Sequence, residues 1–147
     1  MLEGMIQRSP HFTNVLRGKT PTFEGWTEDP TDAANMTDGN LDTAMTTGYK
    51  TTTATYQSMK CTYDVPPGMY IVGLKGYLVS PSSNASLYFR CDAVLNDMYA
   101  TNKHMRYSTP TFVAVQSSIG FFIEITSSDV TVSPHINEFY AVRLGDL

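Results

Sequence analysis

The chain has 147 residues, with 10 Lys or Arg against 14 Asp or Glu and a formal charge of −4. That length suits one domain that can bury a core without disulfide staples. The scattered basic residues argue against nucleic acid or an anionic membrane as partner, and no apolar run approaches the length needed for membrane insertion. Charged residues make up 16% of the chain, below the roughly 25% of average soluble domains. Ser, Thr, Asn and Tyr take their place, which suits a β protein with long polar loops, a surface common on secreted and particle-forming proteins.

In chain order, residues 1–16 carry no periodic pattern and read as an arm or tether, with the domain proper at 17–147. Their first dozen, MLEGMIQRSPHF, lack the continuous apolar stretch of a signal peptide, so synthesis in the cytosol is expected. EGWTEDP (24–30) places the single tryptophan, Trp26, among turn formers, where an exposed indole is expected. NMTDGNLDTAMTTG (35–48) gathers two Asp, two Asn, two Gly and four Thr and reads as a loop. The Thr-rich 46–56 segment is an edge strand or an extended loop.

Period-two alternation then takes over. Residues 59–65 put Met59, Cys61, Tyr63 and Val65 on one face, and Pro66-Pro67-Gly68 makes a turn. In 69–80, Tyr70, Val72, Leu74 and Leu78 face inward, while Gly73 and Gly76 mark a bend or close backbone approach. Residues 81–86 form a loop. LYFRCDAVL (87–95) is expected as one strand with Leu87, Phe89, Cys91, Ala93 and Leu95 inward and Tyr88 and Arg90 outward. A long polar connection, 96–110, follows.

TFVAVQ (111–116) and FFIEIT (121–126) are further strands. The second buries either Phe121, Ile123 and Ile125 or the opposite phase. DVTVS (129–133) reads as a short strand and NEFYAVRL (137–144) as a separate last one. The sum is an all-β chain, an antiparallel β-sandwich or barrel. Cys61 and Cys91, both in apolar phases, are expected as buried free thiols.

Catalytic chemistry is hard to find. His11, His104 and His135 lack zinc spacing, and no nucleophile or phosphate-loop motif occurs. Glu24, Glu28, Asp29 and Asp32 read as solvated loop acids, so no enzyme is expected. Sugar recognition needs aromatic faces for C–H patches and polar groups for hydroxyls. Trp26, Tyr49, Lys50, His104, Arg106 and Tyr107 are the candidate ligand contacts.

Two segments carry a family resemblance. NVLRGKTPT (14–22) sets an Asn-hydrophobic pair before Gly-Lys, and Thr-Asp-Gly-Asn-Leu-Asp-Thr (37–43) follows an Ala-containing turn. Together they resemble discoidin-like (coagulation-factor type C, galactose-binding-like) domains of the carbohydrate-binding-module type, over roughly 14–145. The family's usual Trp after that Thr is replaced by Met45, and the terminal cysteine pair of vertebrate members is missing, departures that weigh against a lipid-binding role.

The resemblance implies a jelly-roll sandwich and a structural Ca²⁺ held by Asp38, Asn40, Thr43 and Glu138, with a carbonyl near Ala33. Calcium favours six to eight oxygen ligands in flexible geometry. The function it implies is non-enzymatic glycan binding. The expected setting is a virus or phage particle that touches host-surface polysaccharide, or otherwise an extracellular one. The alternative is a decoration or assembly protein that binds other virion proteins and no sugar, associating as a homo-oligomer such as a trimer.

Overall fold

The computed structural model describes residues 13–79, 85–91, 94–98, 106–107 and 110–147. The strands are β1 (Thr22–Glu24), β2 (Lys50–Thr51), β3 (Gln57–Asp64), β4 (Gly68–Val79), β5 (Ala85–Cys91), β6 (Val94–Met98), β7 (Arg106–Tyr107), β8 (Thr111–Val115), β9 (Ser118–Ile125) and β10 (Thr131–Gly145). Among the described residues, one 3-10 turn covers Ala33–Met36. One sheet runs β1-β3-β9-β5-β6 and the other β2-β10-β4-β7, with β8 also on β4.

All pairings between these strands are antiparallel, and their inner faces meet in one core. Met59, Cys61, Tyr63, Phe121, Ile123 and Ile125 come from the first sheet; Tyr70, Val72, Leu74, Leu78, Phe139 and Ala141 come from the second. Phe139 meets Phe121 edge-on at 5.5 Å and Tyr63 at 5.9 Å, so aromatic rings join the two layers. Each such buried ring contributes about 1.5–3 kcal/mol from area alone. The architecture is an all-β sandwich, with the inward phases of β3 and β4 expected from alternation and Phe121, Ile123 and Ile125 settling the phase of β9.

Three boundaries differ from the sequence reading. The expected 87–95 strand is two: β5 and β6 form a hairpin with Cys91 opposite Val94. Arg90 pairs with Leu95, so the parity shifts by one residue between the strands and Leu95 joins the phase of Arg90, not that of Cys91. The apolar run Ala93-Val94-Leu95 fits either parity and hides the shift in the sequence. The expected 96–110 connection accordingly gives up 96–98 to β6 and 106–107 to β7. The two expected last strands are one, because Asn137 is an extra residue between the Ile136↔Gly76 and Glu138↔Lys75 pairs. That bulge switches the buried phase from Val132, Pro134 and Ile136 to Phe139 and Ala141, and the phase switch imitates a chain break.

Residues 14–16, at the end of the expected arm, are tied to β10 and the core. Asn14 bridges Val142, the Val15 N–H donates to the Ala141 carbonyl, and Leu16 is fully buried. The Asn14 side chain is 4% exposed. Its amide donates to the Phe139 carbonyl at 3.1 Å, and its oxygen accepts from Leu16 N–H at 3.2 Å and Ala141 N–H at 2.9 Å. The remaining arm residues, 1–12, lie outside the described residues.

Candidate functional site

Gly25 follows β1 with φ +82°, and a Cβ there would meet the Ser58 carbonyl oxygen. Only glycine lets the chain stay this close to the edge of β3. The turn delivers Trp26, whose indole N–H donates to the Lys60 carbonyl at 2.8 Å. Phe23 meets the indole edge-on at 5.5 Å. Behind it lies Gly48, where a Cβ would sit 2.5 Å from both the indole ring and Pro30.

The 47–50 segment closes over the same corner. Tyr49 exchanges backbone hydrogen bonds with Glu28 and accepts one from Thr27. The Lys50 ammonium donates to the Gly25 carbonyl at 2.6 Å. Trp26, Tyr49 and Lys50, separated by more than twenty residues in sequence, are thus brought together, all three half-buried. The indole is less open than its turn-rich sequence suggests. Its N–H has a backbone acceptor and its ring packs against the core.

Asp32 fixes the approach to this corner. One carboxylate oxygen accepts from the Thr47 hydroxyl at 2.6 Å and the Thr47 N–H at 3.3 Å; the other accepts from Thr46 N–H at 3.0 Å and its hydroxyl at 3.3 Å. Burial pushes the Asp32 carboxyl up, but the hydrogen bonds from Thr47 and Thr46 together outweigh it and hold the pKa below its ordinary 3.8. The sequence reading took this acid for a solvated one. Its partners lie 14 and 15 residues away, beyond local pattern.

The Asp38 loop is closed on itself. Asp38 Oδ1 accepts from the Asn40 N–H at 2.8 Å and Oδ2 from the Thr43 hydroxyl at 2.6 Å, while that hydroxyl lies 3.0 Å from the Asn40 carbonyl. Three of the oxygens expected around a cation therefore converge, and their hard-oxygen chemistry fits Ca²⁺. The Arg17 guanidinium donates to the Asp38 carbonyl at 2.8 Å. No group of three or more His, Cys, Asp or Glu side chains converges among the described residues. Glu138 is buried in β10 opposite Lys75. The tie between loop and last strand is made by the bulged Asn137, whose amide donates to the Leu41 carbonyl at 3.0 Å.

The other candidates stand elsewhere. Arg106 pairs with Gly76 and Tyr107 with Lys75, on the far edge of β4. Strands β10 and β4 separate them from Lys50 in β2. His104 lies outside the described residues. Tyr77 and His135, in register across β4 and β10, were not singled out by the sequence. Their signal was the outward phase opposite Leu78 and Ile136.

No family model matches the chain, and no curated protein matches it. Among solved structures, it is similar to chitosan-binding module 1 from the chitosanase/glucanase of Paenibacillus sp. IK-5, at 13% identity, TM-score 0.46, covering 87% of this chain and 97% of the module. It is also similar to TmCBM61 in complex with β-1,4-galactotriose, at 11% identity, TM-score 0.44, covering 87% of this chain and 91% of that one.

Proposed function

We propose that the chain is a non-enzymatic glycan-binding module whose ligand seats at the Trp26 corner. The observation that carries this reading is an indole held in place from three sides, by Lys60, Phe23 and Gly48, yet still partly open. A sugar stacks its C–H face on such a ring without an ordering cost for the protein, which is where preorganised sites gain affinity. Lys50 and Tyr49 stand beside it to meet hydroxyl groups. Because Trp26 is the only tryptophan, its fluorescence reports this corner alone. Titration with neutral oligosaccharides should shift or quench the emission saturably for a coherent sugar set, and a Lys50→Met variant should weaken that response. No response to any sugar from folded protein would sink the reading.

The proposal includes a structural Ca²⁺ held by Asp38, Thr43 and the Asn40 carbonyl, which would stiffen the 38–43 loop. Millimolar Ca²⁺ should raise Tm by several degrees over the EDTA-treated protein, and the rise should vanish in Asp38→Ala. An unchanged Tm would remove the cation. The finer setting proposed is a virus or phage particle that meets host polysaccharide, to be tested by immunogold labelling of purified particles. Label confined to the soluble fraction would contradict it.

A second reading, particle decoration without sugar, is favoured by one surface. On the outer face of the second sheet, Phe112 is 67% exposed opposite Ile71, and Met69 is 36% exposed opposite Ala114. Sedimentation should then give a mass above that of a single chain, reduced by Phe112→Ser. A monomer at all concentrations would set this reading aside.

A further inference from the structure

Tyr56 stands out of the loop between β2 and β3. It is 75% exposed, more than any other large apolar side chain among the described residues. Its backbone is left-handed, with φ +58°, a conformation that glycine and asparagine adopt readily and a bulky side chain resists. A ring that gains nothing from burial and strains its own backbone calls for a functional reason.

The loop holds that ring firmly. The Thr53 N–H donates to Gln57 Oε1 at 2.9 Å, and Gln57 Nε2 donates to Thr53 Oγ1 at 3.1 Å, closing residues 53–57 on themselves. At the base of the loop, buried Thr52 fastens it to residues 127–130. The Thr52 N–H donates to the Val130 carbonyl at 2.8 Å and its hydroxyl to the Ser127 carbonyl at 2.7 Å, while its carbonyl accepts from the Asp129 N–H at 3.0 Å.

The same loop borders the Trp26 corner. Gly25 lies against the Ser58 carbonyl, and the two residues from Ser58 back to Tyr56 span at most about 7 Å. A strip of hydroxyl groups joins the two rings. Thr27 follows Trp26 and its hydroxyl accepts from the Thr51 N–H at 2.8 Å; Thr51 leads within two residues to Thr53, at the start of the Tyr56 loop. All three threonines are exposed. Two rings with hydroxyl groups between them match a chain of sugar units, which offers C–H faces to the rings and hydroxyls to the strip.

We propose that Tyr56 is the second stacking platform of the Trp26 site, and that the site takes a linear neutral oligosaccharide spanning both rings. The inference rests on the glycan-binding reading above. It adds the class of ligand and a residue that sets its length.

Isothermal titration with β-1,4-linked gluco-, manno- and galacto-oligosaccharides, from the disaccharide to the hexasaccharide, tests it. Affinity should rise with chain length in the wild type. Tyr56→Asn should cut the affinity of the longer oligosaccharides about tenfold, the effect of losing one stacking contact, and leave the disaccharide unchanged. Tyr56→Phe should keep the length dependence. Because asparagine tolerates the left-handed backbone, Tyr56→Asn should melt no lower than wild type, so its lost affinity is not a lost fold. Affinity independent of length, or a profile unchanged in Tyr56→Asn, overturns this inference and spares the Trp26 corner. Binding lost in Tyr56→Asn but intact in folded Trp26→Phe overturns the corner, and the two-ring span with it. No binding of any of these sugars by folded wild type overturns both.

Discussion

Replacing Asn14 by Ala should be among the most damaging single changes in the chain, although the residue belongs to no regular strand. Its side chain satisfies three buried backbone groups: the Phe139 carbonyl, the Leu16 N–H and the Ala141 N–H. Alanine leaves all three without that partner and opens too little space for water to replace it, since the site is only 4% exposed. At about 1–3 kcal/mol for each orphaned group, and allowing for partial relaxation, the loss is about 3–5 kcal/mol. That is a large part of a typical stability of about 5–15 kcal/mol, and it should lower Tm by about 10 °C. Urea melts of wild type and variant measure it directly, with an unchanged slope expected. Asn14→Asp sharpens the test. It keeps an acceptor for the two N–H groups but sets a carboxylate against the Phe139 carbonyl, so it should also destabilise. A loss below about 1 kcal/mol for Asn14→Ala would refute the claim that this side chain clips the start of the domain onto β10.

The Asp32 clamp predicts a pH dependence. Its folded pKa lies below 3.8, so its contribution is full above the unfolded value and is lost as pH falls through the lower folded value. Asp32→Asn should therefore melt lower than wild type at neutral pH, and the gap should narrow only under acid conditions below 3.8. A gap independent of pH would contradict the charge-assisted account. Cys61 is fully buried, and burial pushes its thiol pKa far up. In a Cys91→Ser background it should react with a thiol reagent only at the unfolding rate, and fast labelling of folded protein would show that the core is open there.

Much of the sandwich was legible in sequence because alternation is a local signal. Met59, Cys61, Tyr63, Tyr70, Val72 and Leu74 announce their faces within a few residues of chain, and the structure buries all of them. What escaped was information carried by registers. The phase shift between Cys91 and Val94 falls in the apolar run Ala93-Val94-Leu95, which fits either parity and so left no trace, whereas the phase shift at the Asn137 bulge looked like the end of a strand. Trp26, Tyr49 and Lys50 could be named from residue type, but their meeting depends on the Glu28–Tyr49 bridge and the Lys50–Gly25 bond. Asp32 and Asn137 passed as ordinary polar residues, and Asn14 was read only as part of the opening family motif. Apart from Leu16, two residues from Asn14, their side-chain partners lie between 14 and 127 residues away, and no window along the chain could have paired those.

The central claim is that the Trp26 corner holds a glycan, and a glycan array with the purified chain tests it most directly. Wild type and Trp26→Phe should be compared at fixed calcium, the phenylalanine retaining a ring for the core while removing the indole N–H and part of the stacking surface. The account predicts binding to a coherent set of sugars, weakened in the folded variant. An array left blank by folded wild-type protein, or a binding profile identical in both, would contradict it.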